Sequence, residues 1–338
     1  VGFRSNVNYK DQVFSLPFEL SFGSELLTEN YKYSLFKNGY QSQPGQGSIQ
    51  GDEFSAINQN RNYSNYFLQM ELWISAKLHL ETGVALNTTK YSLEDVFYTN
   101  SSGQKTPFTF GKVCSPRVGL SYKVSPVKNI FTSVSKGFSV PSVAETLTPE
   151  GRINTDLKPE IGVNYELGFK GNWLRNKVYT EVTFYTTQIN NLLVARRTAN
   201  DQYVGINAGS SSHSGLEFLV NYALLALPQL QITPYFSGAV NAFKFKEFLD
   251  GDADYSGNQL TGVPENQFNF GVDLNTKNGF TVNTSFRTMG AIPLNDSNTK
   301  YSERYALLDI KTTYVFTILS VLKTELNAGI NNASNTKY

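Results

Sequence analysis

The chain has 338 residues, 17% of them charged and 14% aromatic, and its 29 Lys and Arg nearly cancel 28 Asp and Glu for a formal net charge of +1. That balance excludes an electrostatic pull toward nucleic acid or acidic partners, and a single cysteine excludes an internal disulfide framework. No apolar run approaches the roughly 20 residues of a transmembrane helix, which excludes a helical membrane protein but not a membrane barrel.

The 24 Phe and 20 Tyr, set among abundant Gly, Asn, Ser and Thr, favour strands and turns over helices. The start, VGFRSNVNYK, has no signal-peptide pattern and reads as the middle of a strand, so a fragment is expected. From there period-2 segments continue to the end. Candidate strands lie near 2–9, 13–23, 63–75, 77–90, 112–124, 128–138, 162–171, 177–188, 214–223, 229–243, 266–275, 279–290, 304–316 and 321–331. Many reach the length, about 10 residues, that crosses a bilayer when tilted. No Pro- or Gly-rich linker divides them.

In chain order, one face carries Phe14, Leu16, Phe18, Leu20 and Phe22, then Leu68, Met70, Leu72 and Ile74, then Leu78, Leu80, Val84 and Leu86. It continues through Val118, Leu120 and Tyr122, then Tyr165, Leu167 and Phe169, then Val178, Val182 and Phe184. Leu216, Phe218 and Val220 follow, and then Phe268, Phe270, Val272, Phe280, Val282 and Phe286. The other register holds Arg4, Glu19, Glu71, Glu81, Arg117, Lys123, Glu217, Asp273, Arg287, Asp309, Lys311, Lys323 and Glu325. A charge facing lipid near the midplane costs about 2–4 kcal/mol, so either lipid or a soluble core would keep the first register clean. Trp73, Tyr122, Trp173, Tyr222 and Tyr314 near the short connections suggest an interfacial girdle. Lone Cys114, near a strand start, is expected to be buried or half-buried.

The connections alternate short and long. Short ones lie near 10–12, 75–76, 125–127, 172–176, 224–228, 276–278 and 317–320; long ones near 24–61, 91–111, 139–161, 189–213, 244–265 and 291–303. All tight turns then lie at one end and all large loops at the other, as in outer-membrane barrels. A Greek-key sandwich would mix them. The expected fold is all-β, a transmembrane antiparallel up-and-down barrel of about fourteen strands. The last strand ascends, which leaves a barrel open, so one more strand is expected after the chain ends.

The stretch SVSKGFSVPSVAETLTPEGRINTDLKPEIGVNYELGFKG resembles TonB-dependent outer-membrane receptors. The matching residues are Gly137, Phe138, Pro141, Asn154, Leu157, Lys158, Pro159, Glu160, Tyr165, Glu166, Leu167 and Gly168. NAGSSSHSGLEFLVNY, TGVPENQFNFGVDL and NAGINNASNTKY resemble later stretches of the same family in the same order. The resemblance implies a partial barrel, about fourteen strands of an expected twenty-two, without the N-terminal plug, the first strands, the closing strand or the TonB-contacting box. It also implies residence in the bacterial outer membrane and uptake of a scarce nutrient with energy from the TonB complex. A ferric siderophore is the expected ligand; haem, cobalamin and oligosaccharide are alternatives, and a passive porin-like channel is the reading from another class. The absence of His from 137–160, and Ser139 where relatives frequently have Arg, weaken haem and a motif-based ligand assignment. Read from the residues alone, Pro141 and Pro159 bracket a loop because neither can donate a ladder bond.

Ligand contacts are sought in the outside loops. Arg196 and Arg197, opposite Tyr203 across an expected hairpin, suit anionic, ring-bearing chelates. Tyr98, Lys105 and Arg152 are further candidates of the same kind. In DGDADYSGN, Asp252 and Asp254 begin a calcium-loop spacing, but the twelfth position is Val263 rather than Glu, so a solvated turn is preferred over weak calcium binding. His79 is expected to be a hydrogen-bonded lumen residue, too far from His213 to share a metal. No nucleophile elbow, zinc-helix motif or phosphate loop occurs, and neither enzymatic activity nor a cofactor is expected.

Overall fold

The computed structural model describes residues 1–39, 45, 47–96, 106–142, 145–146, 154–197, 203–319 and 321–337, with side chains at all of these except 95, 106, 195–197 and 203. Among them are nineteen strands and no helix. The first seven are β1 (Gly2–Val13), β2 (Leu16–Asn38), β3 (Gln50–Trp73), β4 (Leu78–Asp95), β5 (Thr106–Thr109), β6 (Val113–Ser125) and β7 (Lys128–Ser139). Then come β8 (Glu160–Trp173), β9 (Val178–Asn190), β10 (Leu193–Arg197), β11 (Tyr203–Asn207), β12 (Gly209–Tyr222) and β13 (Leu225–Ala226). The rest are β14 (Leu230–Asp250), β15 (Ala253–Asp254), β16 (Asn266–Thr276), β17 (Phe280–Met289), β18 (Tyr305–Ile318) and β19 (Leu322–Ile330).

Setting aside the short β5, β10, β11, β13 and β15, fourteen strands remain, one for each candidate strand in the sequence. Each pairs antiparallel with the next, from β1–β2 to β18–β19, without a crossover. The β10–β11 hairpin is the only separate sheet among the described residues. A sandwich needs two stacked layers about 10 Å apart, and among the described residues the long strands contact only their ladder neighbours.

Pairing carries the apolar register across the wall as a belt. Phe18 lies beside Leu72, Leu72 beside Leu80, Leu80 beside Leu120, and Leu167 beside Phe184, which faces Leu216. Phe22, Leu167, Phe184 and Phe270 are about half exposed. Phe218 and Phe270 each touch Phe236 at centroid distances of 4.8 Å and 4.4 Å, as neighbours along one face. The apolar side chains do not converge on a dry interior; they form an exposed belt, as a lipid-facing band requires.

The other register is polar and paired. Lys10 reaches Glu19 at 2.9 Å, Arg117 reaches Glu81 at 3.5 Å and Arg287 reaches Asp309 at 2.7 Å. Arg4 pairs with Glu25 and Arg61 with Glu29. Such partly exposed pairs contribute about 0–1 kcal/mol each, so their consequence is the side they mark rather than the stability they add. Trp73 is on this side, opposite His79 and tilted against it at a centroid distance of 5.0 Å, so it leaves the girdle assigned from sequence. The His79 expectation is corrected as well. It keeps its lumen register, but its Nε2 lies 3.3 Å from Glu71 Oε2 without hydrogen-bond geometry. Cys114 is exposed rather than buried, because it opposes Leu86 in the lipid-facing register.

Two boundary expectations also change. The first turn is Phe14–Ser15, with φ of 50° and 66°, not 10–12, because the ladder runs on to Val13 opposite Leu16. Residues 24–61 are mostly strand: β2 continues to Asn38 and β3 resumes at Gln50. At 23 and 24 residues these strands exceed the span of a bilayer about twofold. Beyond lipid both faces are wet, so the alternation fades while backbone pairing continues. β4 and β14 extend outward for the same reason.

Candidate functional site

The extended outer ends of β3 and β4 form a support for the long loops. On their polar side Tyr91 is only 2% exposed and meets Phe110 edge-on at 5.5 Å, while Phe108 meets Phe110 at 4.9 Å. Leu157 is buried beside them, with Val140 and Leu193 packed against the cluster. The Tyr91 hydroxyl donates to the Pro141 carbonyl at 2.8 Å, which satisfies the one polar atom of a buried ring. A small core therefore holds both ends of the 140–159 segment inside the mouth of the wall.

Three asparagines complete the attachment. Asn207 accepts from Lys158 N at 2.8 Å and donates to the carbonyls of Lys158 at 3.0 Å and Asn191 at 2.7 Å. Asn191 donates to Pro159 O at 3.1 Å, and Asn154 donates to Gly205 O at 3.0 Å. Glu160 accepts from Leu193 N at 2.7 Å. Gly205 is required sterically, since a Cβ there would stand 2.5 Å from the Glu145 carbonyl oxygen. Asn154 and Lys158 are thereby tied to β11 through asparagine side chains.

Between these parts is a hollow of about 550 Å³ lined by Asn154, Asp156, Lys158, Asn190, Asn191 and Glu247 among others. Its walls offer amide donors and acceptors, with a lysine and two carboxylates. Such a surface can hold an oxygen-rich polar ligand by hydrogen bonds.

The motif residues therefore have mainly architectural contacts. Pro141 and Leu157 are buried in the small core. Phe138 pairs with Ile161 on β8, and Tyr165 is about half exposed on the lipid face. Glu166 accepts from Ser133 at 3.1 Å and Asn164 at 2.8 Å on the polar face. Gly168 leaves room for the Phe131 ring, which occupies the place of a Cβ. Lys158 and Pro159 engage through their backbone atoms.

Arg196, Arg197 and Tyr203 lie on the hairpin, where Arg197 pairs with Tyr203 and Arg196 with Val204; their side chains are outside the described set. Tyr98, Lys105 and Arg152 lie outside the described residues altogether. Asp252 sits in the two-residue turn between β14 and β15, after Gly251 at φ 62°. Asp254 accepts from Ser256 N at 2.9 Å, and side-chain and backbone donation from Ser256 holds its carboxyl below the usual carboxylate range. No group of three or more metal-ligating side chains is gathered among the described residues. Tyr91, Asn191 and Asn207 were missed by sequence reasoning; Asn207 opens the family-like stretch NAGSSSHSGLEFLVNY, the one available signal.

The sequence profile of the family described as TonB dependent receptor-like, beta-barrel, matches residues 2–333. The chain is 22% identical over 203 residues to the ferric-pyoverdine 358 receptor of Pseudomonas putida, across 54% of this chain and 23% of that protein. In fold it is similar to the ferric citrate transporter FecA in its unliganded form, with a TM-score of 0.78, 16% identity, and coverage of 100% of this chain and 50% of that one. The ferric preacinetobactin receptor BauA of Acinetobacter baumannii gives a TM-score of 0.72 at 15% identity, covering 99% of this chain and 50% of that one. The chain thus spans about half the length of these solved structures.

Proposed function

Because the chain belongs to the family of TonB-dependent receptor β-barrels, we propose that it is the barrel wall of an outer-membrane receptor that binds a ferric siderophore at its long-loop end. Import of the chelate is driven by the TonB complex, coupled through a plug seated against the polar face. The observation that carries this reading is an open polar hollow of about 550 Å³ at the loop end, where Asn154, Asp156 and Lys158 meet Asn207 of β11 and the outer ends of β9, β12 and β14. Relatives named for ferric-pyoverdine, ferric citrate and ferric preacinetobactin support the ligand class. Guanidinium groups at Arg196 and Arg197 would add charge-assisted bonds to an anionic chelate.

The test is uptake of radiolabelled iron by iron-starved source cells, with the gene intact or deleted and TonB present or absent. Saturable uptake of at least one ferric chelate should require both genes. Uptake that persists without TonB would support the porin-like channel. Loss of haem, cobalamin or oligosaccharide uptake alone would move the ligand to that class.

A further inference from the structure

At the opposite end, the turns carry an arrangement that nutrient import does not use. Lys128 opens β7 in the lipid-facing register, paired with Gly171. A Cβ on Gly171 would stand 2.9 Å from Lys128 Cγ and 3.1 Å from Val127 O, so the missing side chain is what lets the lysine stem lie flat on the wall. Lys128 Nζ ends 3.5 Å from the centroid of the Trp173 ring. That ring is itself held: its Nε1 donates to Thr180 Oγ1 at 2.8 Å and its face tilts against Phe169 at 5.6 Å.

Lys128 is not alone. The turn 174–177 adds exposed Arg175 and Lys177, and the turn 74–77 adds exposed Lys77. Backbone bonds lace neighbouring turns into one rim, with Lys123 N donating to Lys77 O at 2.8 Å, Asn172 N to Val127 O at 2.9 Å and Ala223 N to Lys177 O at 2.7 Å. No Asp or Glu occurs within turns 74–77, 126–127 and 174–177. Among the described residues, none of Lys77, Lys128, Arg175 and Lys177 is ion-paired. In a chain of net charge +1, this arc of uncompensated cations is a local excess. Directly above it the lipid-facing row Ile130, Phe169 and Val182 continues the apolar belt.

We infer that this rim binds the phosphodiester headgroup of an anionic phospholipid in the leaflet at the short-turn end. Lys128, preset by Gly171 and Trp173, meets the phosphate, Arg175 and Lys177 supply further positive charge, and the acyl chains lie along Ile130, Phe169 and Val182. A cation held over an aromatic face keeps its N–H donors available on the side away from the ring. The inference takes only the barrel orientation from the preceding sections, and its test reads no uptake.

The full-length receptor in neutral detergent is titrated with phosphatidylglycerol or phosphatidylcholine, and retained lipid is measured by native mass spectrometry. Phosphatidylglycerol should be retained preferentially. Lys128→Gln should weaken its retention about fivefold, the effect of removing one cation near a headgroup, whereas Lys128→Arg should preserve it. Gly171→Ala keeps every charge but displaces the lysine stem, and should weaken retention too. Equal retention of the two lipids, or indifference to Lys128→Gln, would overturn the inference. Wild-type retention by folded Gly171→Ala would overturn the preset site, and displacement of the lipid by inorganic phosphate would reassign the rim to free anions.

Discussion

Asn207 uses its side-chain oxygen and its amide group to bind two stretches of backbone at once. Each such bond contributes about 0.5–1.5 kcal/mol net. Asn207→Ala should therefore speed amide hydrogen exchange at Lys158 by about tenfold, with exchange in β6 unchanged; equal protection in both proteins would remove the latch from the loop's stability. The neighbouring 137–168 motif was legible through its family resemblance, and its loop through Pro141 and Pro159, which cannot donate ladder bonds. Its purpose was not. The partners of Leu157, Lys158 and Glu160 lie on Tyr91, Asn207 and Leu193, far away in the chain, and residue type alone does not choose them.

For the strands, the decisive quantity is the side on which a charge emerges. Leu120 belongs to the lipid-facing row, whereas Ser121 bonds Asn129 on the polar face. Leu120→Arg, midway along β6 on its lipid-facing side, should destabilise the barrel in urea titrations from lipid vesicles by about 2–4 kcal/mol. Ser121→Arg should cost about 1 kcal/mol or less, chiefly the lost hydrogen bond. A reversed order would exchange the two faces. All fourteen long strands were readable from alternation because a one-residue slip moves every side chain to the other face. Their outer ends were not readable, since β2 beyond residue 23 and β3 before residue 63 pass through water on both sides.

The entire wall is asymmetric, with tight turns at one end and the laced loops at the other. At the loop end, Asn258 donates to Asp296 O at 2.8 Å and Asn298 to Gln259 O at 3.0 Å, joining loops from two different hairpins. In a Cys114→Ser background, Asp252→Cys should react with a membrane-impermeant maleimide on intact cells. Asn278→Cys, in the turn between β16 and β17, should react only after the outer membrane is permeabilised. The opposite pattern would invert the orientation and place the proposed ligand site on the wrong side.

The number and order of the long strands and their two faces were determined by the sequence itself, because lipid and water impose a period of two that every crossing segment must obey; the two ends were determined by the alternation of short and long connections. The tertiary structure decided what the periodicity does not encode: that the first turn falls at Phe14–Ser15, and that Pro141, Leu157 and Lys158 hang on Tyr91 and Asn207. Those outcomes depend on contacts between distant segments, where register and side-chain packing rather than local pattern select the partner.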